Sequence, residues 1–227
     1  MVIAAHPDDE VLGAGGVIAR HSREGDEVFV LILAEGLTSR DDRRDRVGKR
    51  GELSELAHSA RKAHDILGTK SLELLDFPDN RMDSVDLLDV IKEIELRMDV
   101  IRPEIVYSHH HGDLNIDHRI CHNAVVTACR PQPGHYVEEL MFFEVLSGTD
   151  YQTPDFGYGF NPNCFIDIGS DLDKKLEALD AYCGEMRDFP HTRSIKALRA
   201  LAEVRGSSVG FTAAEAFVIG RKLVKGR

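Results

Sequence analysis

Two short segments of this 227-residue sequence concentrate the side-chain types that hold metal ions. The first, His6-Pro7-Asp8-Asp9-Glu10, sets one imidazole beside three consecutive carboxylates, and the second, residues 109–118, holds four histidines and two aspartates. Imidazole nitrogen and carboxylate oxygen bind hard or borderline divalent ions, and a bound cation relieves the repulsion among neighbouring carboxylates. The two segments together predict a mononuclear site built from His, Asp and His, with an open position for water.

The acids of the first segment have two other interpretations. Acidic residues at a helix N-terminus are favourable by about 0.3 to 1 kcal/mol, which accounts for one or two of them but not for three beside a histidine. The glycines that follow, Gly13, Gly15 and Gly16, are typical of a dinucleotide-binding turn, but Ile18 stands where that turn needs its last glycine. The acids would also repel a pyrophosphate at that place. We therefore favour the metal site.

The second segment also imitates known motifs without completing them. His118 and His122 have the spacing of half a zincin site, but Arg119 stands where that motif needs glutamate. Residues 113–117 imitate the start of a calcium loop, yet the required glycine and glutamate further along are absent. Histidines in a polar loop also cap helices and form hydrogen bonds, so we expect at least two of residues 109–111 not to touch a metal.

The elements that must position these segments follow from hydrophobic periodicity. Apolar runs at residues 2–5, 27–34, 71–75 and 104–108 predict buried strands, and helical spacing between them predicts crossover helices. This order, with two more strands after it, predicts a single α/β domain over residues 1–227 with a mainly parallel sheet. Ligands of such sheets bind outside the carboxyl ends of the strands, so both segments are expected in one crevice. Further helices are expected at residues 171–186, 194–205 and 213–224.

The overall composition excludes several classes of partner. A formal net charge of −11, from 28 basic and 39 acidic residues, argues against nucleic acid and against an anionic membrane surface. The longest apolar run, residues 28–34, is far shorter than the roughly 20 residues of a transmembrane span. None of the four cysteines forms a C-x-x-C pair, which predicts reduced, largely buried thiols in a cytoplasmic protein.

One charged segment needs separate interpretation. Residues 40–50 hold six basic and three acidic side chains but only one apolar side chain, Val47. This pattern predicts a solvated, mobile loop. The alternative is that its basic side chains meet a phosphate on the substrate.

The motif Ala5-His6-Pro7-Asp8-Asp9-Glu10 with its following glycines is similar to the first motif of the PIG-L/LmbE-like zinc-dependent deacetylases. The similarity continues through residues 75–81, 112–118, 189–191 and 214–217, and covers essentially the whole chain. It implies a Rossmann-like fold with helices flanking the sheet, and one Zn²⁺ or another divalent ion per chain. It also implies removal of the acetyl group from an N-acetylglucosamine-type sugar, free or carried on a nucleotide, lipid or glycan. A homo-oligomer is compatible with the resemblance.

The resemblance also assigns roles at the reacting centre. His6, Asp9 and His118 match the family's metal ligands, and Asp8 matches its general base. Many members have a histidine three positions before the last ligand, where this sequence has Asn115. An asparagine can donate a hydrogen bond to the tetrahedral oxyanion, but it cannot deliver a proton.

The leaving amine then needs its proton from another group. We expect that group to be Asp8 or His191, with His110 and His111 as the rivals of His191. The matching motifs also imply a set of substrate-binding residues, namely Asn80, Arg81 and Asp117. Two alternatives stay open, a related amidase acting on a thiol-sugar or glycopeptide amide and a non-catalytic sugar-binding protein.

Overall fold

The structure is a computed structural model that describes residues 1–132, 136–153 and 159–224. In these ranges seven strands form one sheet: β1 (Val2–Ala4), β2 (Phe29–Ala34), β3 (Ser71–Phe77), β4 (Ile105–His109), β5 (Glu139–Phe143), β6 (Cys164–Asp167) and β7 (Ala214–Lys222). The longer helices are α1 (Asp9–Glu24), α2 (Arg50–Leu67), α3 (Leu87–Ile101), α4 (Ile116–Ala128), α5 (Leu172–Ala181) and α6 (Ile195–Ser207). Single 3₁₀ turns lie at Thr38–Arg40 and Met82–Ser84.

The sheet has the strand order β3-β2-β1-β4-β5-β7-β6. The five strands from β3 to β5 run parallel, and β7 is antiparallel to both of its neighbours. The predicted single α/β domain with a mainly parallel sheet is confirmed. The carboxyl ends of β1 to β4 therefore meet at one edge, where the two polar segments begin.

The sheet separates two hydrophobic cores. One lies under α1, α2, α5 and α6, and the other lies under α3 and α4. Strand β2 is an almost unbroken apolar run because both of its faces are covered. Within the described ranges, no helix is long and apolar enough to cross a membrane.

Two glycines of the first motif allow α1 to lie close to the sheet. A Cβ atom at Gly13 would collide with the ring of Phe143 on β5, and one at Gly16 would lie 2.7 Å from Cδ1 of Ile168. Only glycine leaves room for this approach. These glycines serve packing, in agreement with the rejection of a nucleotide-binding turn.

The predicted helix at residues 213–224 is wrong, because this segment forms β7 between β5 and β6. Alanine and glutamate favour a helix locally, but strand pairing on both sides outweighs that preference. The glutamate, Glu215, is buried and fully bonded. Its carboxylate accepts from Lys175 Nζ at 2.6 Å, Gly16 N at 2.9 Å and Val17 N at 2.7 Å.

The basic segment at residues 40–50 is irregular, as expected, but it is anchored to the sheet. Glu35, which directly follows β2, is buried, and its carboxylate lies 2.8 Å from Nε of Arg44 and 2.8 Å from Nε of Arg46. Thr38 donates to the same carboxylate at 2.6 Å. Two arginines of this segment are therefore held by the protein itself.

The cysteines form no disulfide among the described residues. Cys121 and Cys129 are buried, Cys164 is half-buried and Cys183 is exposed. The expectation of buried thiols is therefore correct for Cys121 and Cys129 and wrong for Cys183, which lies in the turn after α5.

Candidate active site

Loops that follow the first four strands meet at the carboxyl edge of the sheet. His6, after β1, has its Nε2 atom 2.9 Å from Asp117 Oδ2 at the start of α4 and 3.3 Å from Asp79 Oδ1 after β3. The backbone N–H of Ser39, after β2, donates to Asp79 Oδ2 at 3.0 Å. The crevice expected from the parallel sheet is therefore present.

The structure brings the three expected ligands together. Ligand atoms of His6, Asp9 and His118 all lie within 4.8 Å of one another. Asp9 Oδ2 is 3.2 Å from His6 Nδ1 and 3.1 Å from His118 Nε2. All three residues are buried, so their polar atoms have little access to solvent.

Unpaired atoms in this cluster test whether it fits a metal ion. Asp9 Oδ1 is buried without a hydrogen-bond partner, and His118 Nε2 makes no hydrogen bond despite its 3.1 Å approach to Asp9. Buried polar atoms are rarely left unpaired in native proteins, and each one costs about 1–3 kcal/mol. Two imidazoles and a carboxylate with an open side form the donor set of catalytic zinc sites. The residues present therefore fit a divalent ion.

A carboxylate lies behind each histidine of the cluster. Asp117 Oδ2 pairs with Nε2 of His6, while Nδ1 of His6 faces Asp9. Asp113 Oδ2 lies 3.0 Å from Nδ1 of His118, on the side of the ring away from Asp9. Such outer carboxylates fix the orientation of ligand histidines and increase their basicity.

We expected Asp117 to contact the substrate, but the structure gives it a different environment. It is fully buried, and its two oxygens accept hydrogen bonds from the backbone N–H of Asn80 at 2.6 Å and of Met82 at 3.0 Å. One of those oxygens also holds His6. With its carboxylate enclosed in this way, Asp117 positions His6 and the loop after β3.

The structure contains a second candidate metal group that shares His6. It combines His6 with Asp79 and Asp117. Asp79 already accepts from Ser39 N and from Asn80 Nδ2, and Asp117 already accepts two backbone N–H groups. These carboxylates are satisfied by the protein, whereas Asp9 is not, so the first group is the better metal site.

The electrostatics of the cluster are strongly coupled. Burial opposes protonation of His6, but hydrogen bonds with Asp117 and Asp9 outweigh it and raise the pKa of His6 well above its usual value. Burial is the largest influence on Asp9 and raises its pKa, but the charge of His118 and the hydrogen bonds with His118 and His6 together outweigh it, so the pKa of Asp9 lies well below its usual value. Asp9 is therefore an anion, as a metal ligand must be.

Asp8, the expected general base, is buried beside this cluster. Its φ of 110° is unusual for a residue with a side chain, and its backbone N–H donates to Glu10 Oε2 at 3.0 Å. Its carboxylate oxygen Oδ2 accepts from Arg193 Nη1 at 2.7 Å. Burial raises the pKa of Asp8 well above its usual value, and the charge of Arg193 opposes that rise.

Arg193 was not foreseen from the sequence. It lies in the turn before α6, where Nε also donates to the carbonyl of Leu146 at 3.0 Å. Its only sequence signal is its position two residues after His191 in a family-like motif. A lone arginine in a loop carries no indication of its partner.

Glu10, the third acid of the motif, has a structural role. Oε1 accepts from the hydroxyl of Tyr182 at 2.7 Å and lies 3.1 Å from Nε2 of His64, while Oε2 holds the backbone of Asp8. His64 is thus a buried histidine whose ring is held by Glu10. The network fixes the strained backbone of Asp8 from α2 and from the end of α5.

Asn115 caps α4 and also contacts a neighbouring loop. Oδ1 accepts from the backbone N–H of Asp117 at 2.8 Å, and Nδ2 donates to Oδ1 of Asn80 at 2.8 Å. A side-chain amide carries two donor hydrogens, so these contacts use only one of them.

The histidine run at residues 109–111 lies beside the cluster without joining it. Nε2 of His109 is 3.6 Å from Asp9 Oδ2, but it accepts from the backbone N–H of Ala5 at 2.9 Å. Nδ1 of His110 accepts from the backbone N–H of Gly112 at 3.1 Å. Among the described residues, no member of this run belongs to a candidate ligand group.

The remaining expected residues lie around the crevice. His191 is half-buried, and its Nδ1 accepts from the backbone N–H of Arg193 at 3.0 Å. Nη2 of Arg81 donates to the carbonyls of Asp41 at 3.3 Å and Asp42 at 3.2 Å, which ties the basic segment to the loop after β3. His191 therefore stabilises the turn that presents Arg193.

Comparison with known proteins agrees with the fold and assigns the chain to a family. The chain belongs to the PIG-L (GlcNAc-PI de-N-acetylase) family, whose profile matches residues 1–129, more than half of its length. The residues matched include both segments that form the cluster.

Three relatives illustrate the range of this family. The uncharacterized deacetylase YaiS of Escherichia coli is 29% identical over 188 residues, which cover 79% of this chain and 87% of YaiS. The diacetylchitobiose deacetylase of Thermococcus kodakarensis is 29% identical over 201 residues, which cover 79% of this chain and 67% of that protein. The crystal structure of GalB, the 4-carboxy-2-hydroxymuconate hydratase of Pseudomonas putida, has the same fold. It superposes with a TM-score of 0.78 at 24% identity, covering 100% of this chain and 97% of GalB.

Proposed function

We propose that the protein is a metal-dependent hydrolase that removes the acetyl group from an N-acetylglucosamine-type sugar. One observation carries the proposal: Oδ2 of Asp9 lies 3.2 Å from Nδ1 of His6 and 3.1 Å from Nε2 of His118, while Oδ1 of the same carboxylate is buried without a hydrogen-bond partner. Asp8 is the neighbouring residue. Family membership and the two deacetylase relatives support the same reaction. The products are acetate and a free amino sugar.

His6, Asp9 and His118 are the proposed ligands of one divalent ion, with zinc as the expected metal. Such an ion, when bound, supplies Lewis-acid polarisation of the amide carbonyl and lowers the pKa of water toward about 7. Asp117 and Asp113 hold the two histidines from behind. This arrangement keeps both rings directed at Oδ2 of Asp9.

Asp8 is the proposed general base and accepts a proton from the attacking water. Arg193 engages Oδ2 of Asp8, which leaves the other oxygen for this transfer. Because Glu10 fixes the backbone of Asp8 and Arg193 fixes its carboxylate, the base is held in one orientation. A base prepared in this way needs little reorganisation before reaction.

Asn115 is the proposed donor to the oxyanion through its remaining amide hydrogen. The leaving amine then takes a proton from Asp8 or from His191, the imidazole in the turn of Arg193. Asn80 and Arg81 are the proposed substrate-binding residues at the loop after β3. Asp117 positions this loop and, in this proposal, does not touch the substrate.

The test is acetate release by the purified, metal-loaded protein. The substrates are N-acetylhexosamines that are free, phosphorylated, nucleotide-linked or joined in a disaccharide, each with chelator and after zinc is restored. We expect acetate release that chelator abolishes and added zinc restores. Asp8→Asn should lower the rate about 100-fold or more with metal content unchanged, whereas His118→Ala should lose metal and His122→Gln, on the same helix, should keep it.

Controls separate the alternatives. Turnover of a glycopeptide or thiol-sugar amide without turnover of acetylated sugars would identify the related amidase. Sugar binding without any acetate release would identify a binding protein and overturn the proposal. GalB of Pseudomonas putida is described as a 4-carboxy-2-hydroxymuconate hydratase. Hydration of 4-carboxy-2-hydroxymuconate by the present protein would therefore identify a hydratase with the same fold.

A further inference from the structure

A cleft of about 570 Å³ lies beside the candidate active site, between α2 and the turn after α5. We call it the α2–α5 cleft, and its lining includes Leu37, Arg40, Leu56, Ser59, Tyr182 and Glu185. This volume falls within the range of about 300–1,000 Å³ that is typical of small-molecule sites. None of the catalytic roles proposed above uses these residues.

Two sets of contacts connect the α2–α5 cleft to the reacting centre. On one side, Ser39 donates to Asp79 next to His6, and the following residue, Arg40, lines the cleft. On the other side, Tyr182 lines the cleft and donates to Glu10, the residue that holds the backbone of Asp8. The cleft is therefore linked to His6 through Ser39 and Asp79, and to Asp8 through Glu10.

An ion pair lies in the lining of the α2–α5 cleft. Nη2 of Arg40 lies 2.7 Å and 2.6 Å from the two carboxylate oxygens of Glu185. This pair joins the 3₁₀ turn after β2 to the turn after α5. Because Glu185 already compensates the charge of Arg40, the guanidinium is a poor partner for a phosphate or carboxylate of a ligand.

The chemistry of the lining favours a neutral, hydroxylated group. Leu37 and Leu56 offer an apolar floor, and the hydroxyls of Ser54 and Ser59 lie along α2. Glu52 is paired with Lys49, whose Nζ lies 3.0 Å from Oε1. Glu55 adds negative charge that repels an anion, and its carboxylate accepts hydrogen bonds from hydroxyls. A sugar ring has both an apolar face and a rim of hydroxyls, so it matches this combination.

We propose that the α2–α5 cleft binds the part of the substrate beyond the N-acetyl sugar and selects a second, neutral sugar ring over a phosphate or carboxylate. This proposal rests on the proposed function, because it extends the same substrate. It also gives Glu55 a role in substrate choice, since a phosphorylated substrate would meet this carboxylate, while the guanidinium of Arg40 is held by Glu185.

The test compares kcat/KM for acetate release from N-acetylglucosamine, its β-linked disaccharide and its 1-phosphate. We expect the disaccharide to be the best substrate and the phosphate the poorest. Ser59→Tyr, which fills the cleft, should lower kcat/KM for the disaccharide about tenfold and leave the monosaccharide nearly unchanged. Glu55→Lys should raise kcat/KM for the 1-phosphate. Lys62→Tyr, exposed on the same helix and outside the cleft, is the matched control.

The outcomes distinguish this proposal from the proposed function. The cleft proposal is overturned, and the proposed deacetylase is unaffected, if Ser59→Tyr lowers kcat/KM equally for the monosaccharide and the disaccharide. The same holds if Ser59→Tyr behaves like Lys62→Tyr. A wild-type preference for the phosphate overturns it as well. No acetate from any of the three sugars with the metal-loaded protein overturns both.

Discussion

Arg193 donates a 2.7 Å hydrogen bond to the carboxylate of Asp8, although the two residues are 185 positions apart in the sequence. The same guanidinium is fixed by the carbonyl of Leu146, and it lies 3.9 Å from Asp9 Oδ1. The proposed base is therefore oriented by a turn near the end of the chain, while the metal ligands come from the loops after β1 and β4. Nothing in the local sequence of either residue indicates this pairing.

The first prediction concerns this ion pair. Arg193→Lys keeps a positive charge but loses the planar donor set that contacts Asp8 and Leu146 together. We expect kcat to fall about 10- to 100-fold while KM and zinc content stay close to wild type, because a misplaced base affects the chemical step. Steady-state kinetics and elemental analysis check this result. Arg199→Lys, on the exposed part of α6, is the control, and a normal kcat for Arg193→Lys would show that the pair is merely structural.

The second prediction concerns Asp117. If it positions His6, Asp117→Asn should weaken zinc affinity about 10- to 100-fold, the usual effect of losing an outer carboxylate. The KM of the zinc-saturated variant should stay unchanged. Competition with a chromogenic chelator measures the affinity. A raised KM at full zinc occupancy would instead restore Asp117 to the substrate-binding role that we first expected.

The sequence was sufficient to predict the part of the site that obeys the geometry of parallel sheets. His6, Asp9 and His118 follow the ends of β1 and β4, which are neighbours in the sheet, so a simple topological rule brings them together. Arg193 depends on the packing of a distant turn, for which no such rule exists. The β7 error has a related cause, since its pairing with β5 and β6 is a long-range contact that local helix preference does not reveal.

The third prediction separates the two roles of Asn115. Its Oδ1 atom caps α4, and its amide is the proposed oxyanion donor. Asn115→Asp keeps an acceptor for the cap but loses the donor, so we expect kcat to fall about 100- to 1,000-fold with little change in thermal stability. Asn115→Ala should lose both and should also unfold at a lower temperature. A near-normal kcat for Asn115→Asp would assign the residue to capping alone.

The fourth prediction concerns stability at low pH. Burial, together with the neighbouring imidazoles of His111 and His122, lowers the pKa of His110 from 6.5 to about 4. The unfolded chain therefore binds a proton that the folded protein excludes, and this contribution to stability is complete above pH 6.5 and is lost as the pH falls toward 4. We expect the free energy of unfolding, measured with denaturant, to fall less between pH 6.5 and 4 in His110→Asn than in wild type. An equal fall in both proteins would mean that other groups cause the loss of stability at low pH.

The last prediction concerns the proton that the leaving amine needs. His191 has an accepting Nδ1 in the structure, so its neutral ring carries a proton on Nε2, and it lies in the same turn as Arg193. A protonated imidazole can donate a proton to an amine, which the amide of Asn115 cannot do. If His191 is the acid, His191→Gln should slow turnover and remove the alkaline limb of the pH–rate profile, while zinc content and the KM at neutral pH stay unchanged. His21→Gln, on α1 and outside the α2–α5 cleft, is the control for loss of one imidazole. An unaltered alkaline limb in His191→Gln, with loss of that limb in His110→Gln or His111→Gln, would assign the proton donor to the histidine run after β4.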